Sequence, residues 1–231
     1  MAIPAIAPYE IPEPTQERRV NWGIEPETCA VLVHDMQNYF IRAYDECAEP
    51  MSTAIDSMAS VVETARANNV PVIYSVQPGD QHPYRRGLLR EFWGNGMSDG
   101  VDTEVVDRLR PREEDIVITK WRYSAFARTD LLHLMSEAGL DQLVITGVYA
   151  HMGCQATAVD AFMNDIKPFV VSDALADFSR EEHATTIDFV NKRCGVSVTA
   201  DEVESAFIRQ GITPGLSPHG PAESTSYTGR G

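Results

Sequence analysis

Apolar runs too short to be helices recur along this chain, and between them apolar residues fall three and four positions apart. The first run, residues 30–35 (AVLVHD), follows an extended, proline-bearing arm and ends in polar residues, which marks it as a first and central strand. Met51, Ile55, Met58, Val62 and Ala65 then share one helical face, and Asn68-Asn69 closes that pattern ahead of Pro71. Strands are predicted at Val72–Val76, Ile116–Thr119, residues 142–146, residues 169–172 and Val196–Val198. Helices are predicted over residues 130–138 (capped by Thr129 and closed by Gly139), 153–165, 180–192 and 200–207. Ser179 and Glu182 have capping-box spacing ahead of the third of these. Alternation of this kind predicts an α/β fold of the doubly wound, Rossmann-like type, with about six parallel strands and helices on both faces. Ligands of such folds sit at the carboxyl ends of the strands, so functional residues are expected just after them.

Two segments depart from the rhythm. Residues 77–111 form a long insertion, within which residues 85–93 suit a helix carrying Leu88, Leu89 and Phe92 on one face. Residues 214–231 are rich in Pro, Gly, Ser and Thr with little to bury, and are expected to be a disordered tail. One domain of ordinary size over residues 1–213, with an extended arm over 1–28, accounts for the rest.

Composition narrows the function. The 231 residues are 43% apolar with no run long enough to span a bilayer, and the beginning carries no basic-then-apolar secretory pattern, so a soluble cytoplasmic protein is expected. A net charge of −15 disfavours nucleic acid and anionic membranes as partners. An anionic substrate would therefore need a locally basic pocket. Cys29, Cys47, Cys154 and Cys194 lack metal-ligand or disulfide spacing and read as reduced thiols. No glycine-rich phosphate loop is present, so no nucleotide cofactor is implied. Asp80-x-His82 is half a metal motif without a completing histidine, so no metal is expected.

Asp35 ends the first strand, Lys120 ends the third, and GVYAHMGC follows the fourth. If those ends are neighbours, they supply a carboxylate, an ammonium and a helix N-terminus, which is an acid-base and anion-binding constellation. His34 should point to the opposite face from Asp35 by strand alternation, and His151 should hold the turn by hydrogen bonds.

The blocks VHDMQNYF, TKWRYSAF, GVYAHMGC and DALADFSREEH, in this order, resemble the isochorismatase family within the isochorismatase-like cysteine hydrolase superfamily, over about residues 4–203. The amidases of that superfamily use an Asp, a Lys and a Cys. An ungapped match through Gly147 and Asp160-Ala161 sets the nucleophile position on Gly153, leaving Cys154 to pack. The glycine would then open room for a larger substrate. The resemblance implies hydrolysis of the enolpyruvyl ether of an isochorismate-type dianion with release of pyruvate. Asp35 would be the general acid, Lys120 its partner, and the backbone of Gly153 a substrate contact. It also implies Gln77, Arg86, Trp93 and Tyr149 as substrate-binding residues, with Arg85 a rival for Arg86 and packing a rival role for Trp93. For Asp35 to donate a proton, burial and the substrate's carboxylates must raise its pKa against Lys120.

Two substrates fit: isochorismate, on the way to catechol siderophores, and 2-amino-2-deoxyisochorismate, on the way to phenazines. The stand-alone length tilts the expectation toward the amino compound, while the GCQAT segment is nearer the siderophore branch. A homodimer, and a separate aryl carrier protein as partner, are also expected from the resemblance. The alternatives are a cysteine amidase using Cys154 and a non-catalytic binding domain.

Overall fold

The computed structural model describes residues 3–13 and 17–210, with side chains as far as residue 208. The expected tail at 214–231 lies outside the described residues. Six parallel strands form one sheet: β1 (Cys29–His34), β2 (Val72–Val76), β3 (Ile116–Thr119), β4 (Gln142–Val148), β5 (Lys167–Ala176) and β6 (Val196–Val198). Their order is β3-β2-β1-β4-β5-β6, so strand order reverses between β1 and β4, where doubly wound folds open their ligand crevice. β1 is fully buried, as a strand covered by helices on both faces must be.

Alternation along β1 separates the two cores. Val31 and Val33 pack with α2 (Met51–Ala67) and with Phe207 of α8 (Ala200–Gln210). Ala30 and Leu32 pack instead toward α5 (Leu131–Glu137), α6 (Gln155–Met163) and α7 (Arg180–Arg193). The buried residues of α7, His183, Thr186, Ile187, Val190 and Asn191, recur at three- and four-residue intervals. Ser179 Oγ accepts from the Glu182 N–H at 3.2 Å, as its capping-box spacing predicts.

The structure corrects several boundaries. β4 and β5 run past their expected ends to Val148 and Ala176, with a register shift between Ile145 and Gly147. The expected helix at 153–165 begins later, at Gln155, because a π-helical turn (Ala150–Cys154) precedes it. The single helix expected at 85–93 is two: α3 (Pro83–Arg86) and α4 (Leu89–Trp93). Gly87 breaks them apart at φ +58°, a left-handed conformation that favours glycine. Arg86 is thereby turned inward while Leu88 and Phe92 stay exposed.

Candidate active site

The crevice forms where β1 ends. Asp35 has φ +52°, a left-handed backbone that Asp tolerates better than most side chains, and this breaks the alternation of the strand. His34 and Asp35, expected on opposite faces, consequently line the same pocket. The Asp35 N–H still donates to Ser75 O at 3.1 Å, so the residue remains tied to β2.

Asp35 is an acceptor hub. Its Oδ2 receives Lys120 Nζ at 2.8 Å and Gln77 Nε2 at 2.9 Å, and its Oδ1 receives the Ser75 hydroxyl at 3.2 Å. Lys120 comes from β3, which is not a neighbour of β1: β2 lies between them, and the long lysine side chain crosses its end. Both charges are buried, Lys120 to 1% exposure. Burial raises the Asp35 pKa, but Lys120, His34 and the donated hydrogen bonds together hold it below the usual carboxylate range. In the free protein Asp35 is thus a carboxylate, and a protonated acid requires an incoming anion to weaken its hold on Lys120.

Gln37, two positions beyond Asp35, sets Gln77 in place. Its Nε2 donates to Gln77 O at 2.8 Å, and its Oε1 accepts from the Gln77 N–H at 2.8 Å. Arg86 is 5% exposed and donates from Nε to Gly94 O at 2.8 Å. No carboxylate of the described residues lies within salt-bridge distance of it, and burial pushes its pKa down. Arg85 is exposed and lies over the Trp121 ring, 5.0 Å from its centroid, which removes it as a rival. A buried guanidinium without a counter-ion is the local basic charge that an anionic substrate needs in so acidic a protein.

Aromatic rings build the walls. Trp93 Nε1 donates to the Tyr123 hydroxyl at 2.7 Å, Tyr149 donates its hydroxyl to Phe40 O at 3.0 Å, and Phe178 lies 4.5 Å from the Tyr149 ring. Tyr149 accordingly offers a ring rather than a free hydroxyl. Ile3, from the N-terminal arm, also reaches the pocket. Asp35, Gln77, Arg86, Trp93, Lys120, Tyr149 and Gly153 all line this one pocket. Sequence reasoning missed Tyr39, Phe40, Tyr123, Met152 and Phe178 on its wall, and Gln37 and Ser75 behind it, which hold Gln77 and Asp35. Only Gln37 carried a signal, as an amide two residues after the strand-end Asp.

Cys154 is fully buried in the core beside α6 and is not on the pocket wall, and burial pushes its thiol pKa well up. Those are the properties of a packing residue, since reactive thiols need a stabilised thiolate and access. Gly153 does not widen the pocket as expected. A Cβ built on it would lie 2.2 Å from His34 Cε1, so the histidine ring already fills that volume. The turn also offers fewer free donors than a plain helix N-terminus: the N–H groups of Met152 and Cys154 donate to Tyr149 O at 3.1 and 3.3 Å. His151 anchors the turn as expected, its Nδ1 and backbone N–H each 2.6 Å from an Asp177 carboxylate oxygen. Asp80 Oδ2 accepts from the Asp99 N–H at 3.2 Å and His82 Nδ1 from the Tyr84 N–H at 3.4 Å.

The isochorismatase domain family model matches residues 29–202. The chain is 44% identical over 206 residues to an isochorismatase of Bacillus subtilis, covering 88% of this chain and 66% of that one. It is 44% identical over 204 residues to the phenazine biosynthesis protein PhzD of Pseudomonas fluorescens, covering 87% of this chain and 98% of that one. Among solved structures, a cysteine hydrolase from Pseudomonas syringae pv. phaseolicola superposes with a TM-score of 0.77 at 23% identity, over 84% of this chain and 99% of that one, which speaks to the fold alone. This chain belongs to the isochorismatase family and is a hydrolase.

Proposed function

We propose that the protein hydrolyses the enolpyruvyl vinyl ether of an isochorismate-type dianion, with Asp35 as general acid and no covalent intermediate. The observation that carries this reading is a buried carboxylate, bound by Lys120 and Gln77, sharing a pocket with Arg86, which has no counter-ion among the described residues, where residue 153 has no side chain. Kinship to an isochorismatase and to a phenazine biosynthesis protein supports the substrate class.

The substrate's carboxylates supply what Arg86 lacks and compete with Asp35 for Lys120. Losing that hold, in a site whose burial already disfavours charge, Asp35 takes up a proton as substrate binds. It delivers this proton to the electron-rich methylene carbon of the vinyl ether, giving an oxocarbenium ion. Water adds to the cationic carbon, and Asp35 recovers a proton from that water. The hemiketal then collapses: the bond between its carbon and the ether oxygen breaks, and the hydroxyl proton passes to that oxygen, to release pyruvate and the cyclohexadiene alcohol. The aromatic walls exclude bulk water from the cation apart from the attacking molecule.

Pyruvate release from isochorismate and from 2-amino-2-deoxyisochorismate tests the reading. Asp35→Asn is expected to lower kcat by about two to four orders of magnitude with KM little changed, and Cys154→Ala to retain turnover. A near-normal kcat for Asp35→Asn would remove the acid from Asp35; a dead Cys154→Ala with unchanged folding would restore the amidase reading. A kcat/KM ratio of about tenfold or more between the two substrates assigns the branch.

A further inference from the structure

We infer that His34 is the positioning residue that keeps this site non-covalent: its imidazole occupies the seat of a residue-153 side chain, so that His34 and Gly153 form an obligate pair. The inference deepens the ether-hydrolase reading and rests on it for its kinetic part. The three atoms nearest to a Cβ placed on Gly153 all belong to the His34 ring: Cε1 at 2.2 Å, Nε2 at 2.8 Å and Nδ1 at 3.1 Å. Gly153 lies in a helical turn outside the left-handed region, so its own backbone accepts a side chain and the ring is what refuses it.

The ring has nowhere to go. His34 is fully buried, Nδ1 lies 2.8 Å from Val148 O at the end of β4, and Nε2 faces Tyr123 O at 3.2 Å. Both neighbours are main-chain carbonyls, which only accept, so the short contact assigns the ring proton to Nδ1 and ties β1 to the start of the turn. The same Nδ1 stands 3.9 Å from Asp35 Oδ2. The imidazole is therefore a wall placed between the turn and the catalytic carboxylate, where a thiol at position 153 would otherwise stand. The space beside Gly153 thus belongs to His34 rather than to substrate. A buried ring so close to Asp35 fixes where its carboxyl group can lie, and a misplacement of about 1 Å at such a centre costs on the order of a hundredfold in rate.

A double-mutant cycle in the full chain tests the pairing. Gly153→Ala alone is expected to lower Tm by about 5 °C or more and kcat by roughly tenfold or more, because the methyl group displaces the ring. His34→Ala alone is expected to lower kcat similarly while KM, set largely by Arg86, stays within about threefold. In the double variant the methyl group enters the vacated space, and both Tm and kcat recover above the worse single variant. A Gly153→Ala chain that is insoluble alone and soluble with His34→Ala supports the pairing equally. Strictly additive effects, or a Gly153→Ala protein with normal Tm and kcat, overturn it. A His34→Ala protein with reduced Tm but unchanged kcat makes His34 a core residue without a positioning role. The Tm cycle needs no substrate, so it decides the pairing even if the wild-type chain releases no pyruvate, an outcome that sinks the ether-hydrolase reading alone.

Discussion

Arg86 is a cation held away from water with no carboxylate partner among the described residues, an arrangement that costs stability until an anion arrives. Arg86→Gln is therefore expected to raise KM for a dianionic substrate by about 10- to 100-fold, the loss of a charge-assisted hydrogen bond. Its Tm should not fall, since the unpaired charge leaves with the side chain. A drop in Tm without a change in KM would make Arg86 a structural residue. Asp35 is constrained twice. The acid role proposed for it demands a carboxyl group and its backbone is left-handed, which Asp and Asn tolerate and Glu does not readily adopt. Asp35→Asn is thus a clean probe, whereas Asp35→Glu would strain the backbone as well as move the acid. Asp35 and Lys120 were legible as candidates because each ends an apolar run. The convergence of His34 on the same pocket was not, because strand alternation holds only while φ stays extended, and no residue pattern announced the left-handed Asp35.

At the scale of elements, periodicity placed every strand, and errors gathered where backbone geometry departs from ideal helix or strand. Gly87 splits one expected helix into two, and the π-helical turn delays α6. The position of β3 outside β2 follows from crossover topology, which local patterning does not encode, and it makes the reach of Lys120 essential. The capping box of α7 was fully local and was read correctly, because Ser179 and Glu182 are three residues apart. Ser179→Ala should cost about 1 kcal/mol of stability, measurable by urea unfolding. A loss below roughly a quarter of that would mean solvent satisfies the helix end equally well. The cap matters to the site because α7 follows directly on Asp177 and Phe178, which hold the turn and the aromatic wall.

Across the whole molecule, the N-terminal arm is pinned just past the carboxyl end of β5. Tyr9 accepts from the Asp177 N–H at 2.7 Å, and its hydroxyl lies 3.3 Å from His183 Nδ1. His183 Nε2 lies 3.0 Å from Ser172 O, so the ring is neutral with its proton on Nε2. Burial pushes its pKa down from 6.5 to about 4. The unfolded chain thus binds a proton that the folded chain refuses between those values. The His183 contribution to stability is complete above the unfolded pKa and is lost as pH falls toward 4, a swing on the order of 3 kcal/mol. His183→Gln should flatten the dependence of Tm on pH across that window; an unchanged slope would place the acid sensitivity elsewhere. The arm's tie also bears on how the pocket is closed. Ile3 lines the pocket and Tyr9 is fastened 168 residues away at Asp177, so one wall of the pocket depends on a contact between segments far apart in sequence. The pocket that Asp35, Gln77, Arg86 and Lys120 line is thus completed by Ile3 of the arm, whose anchor lies just past the end of β5, and loosening that anchor would open the site without touching any of those four side chains.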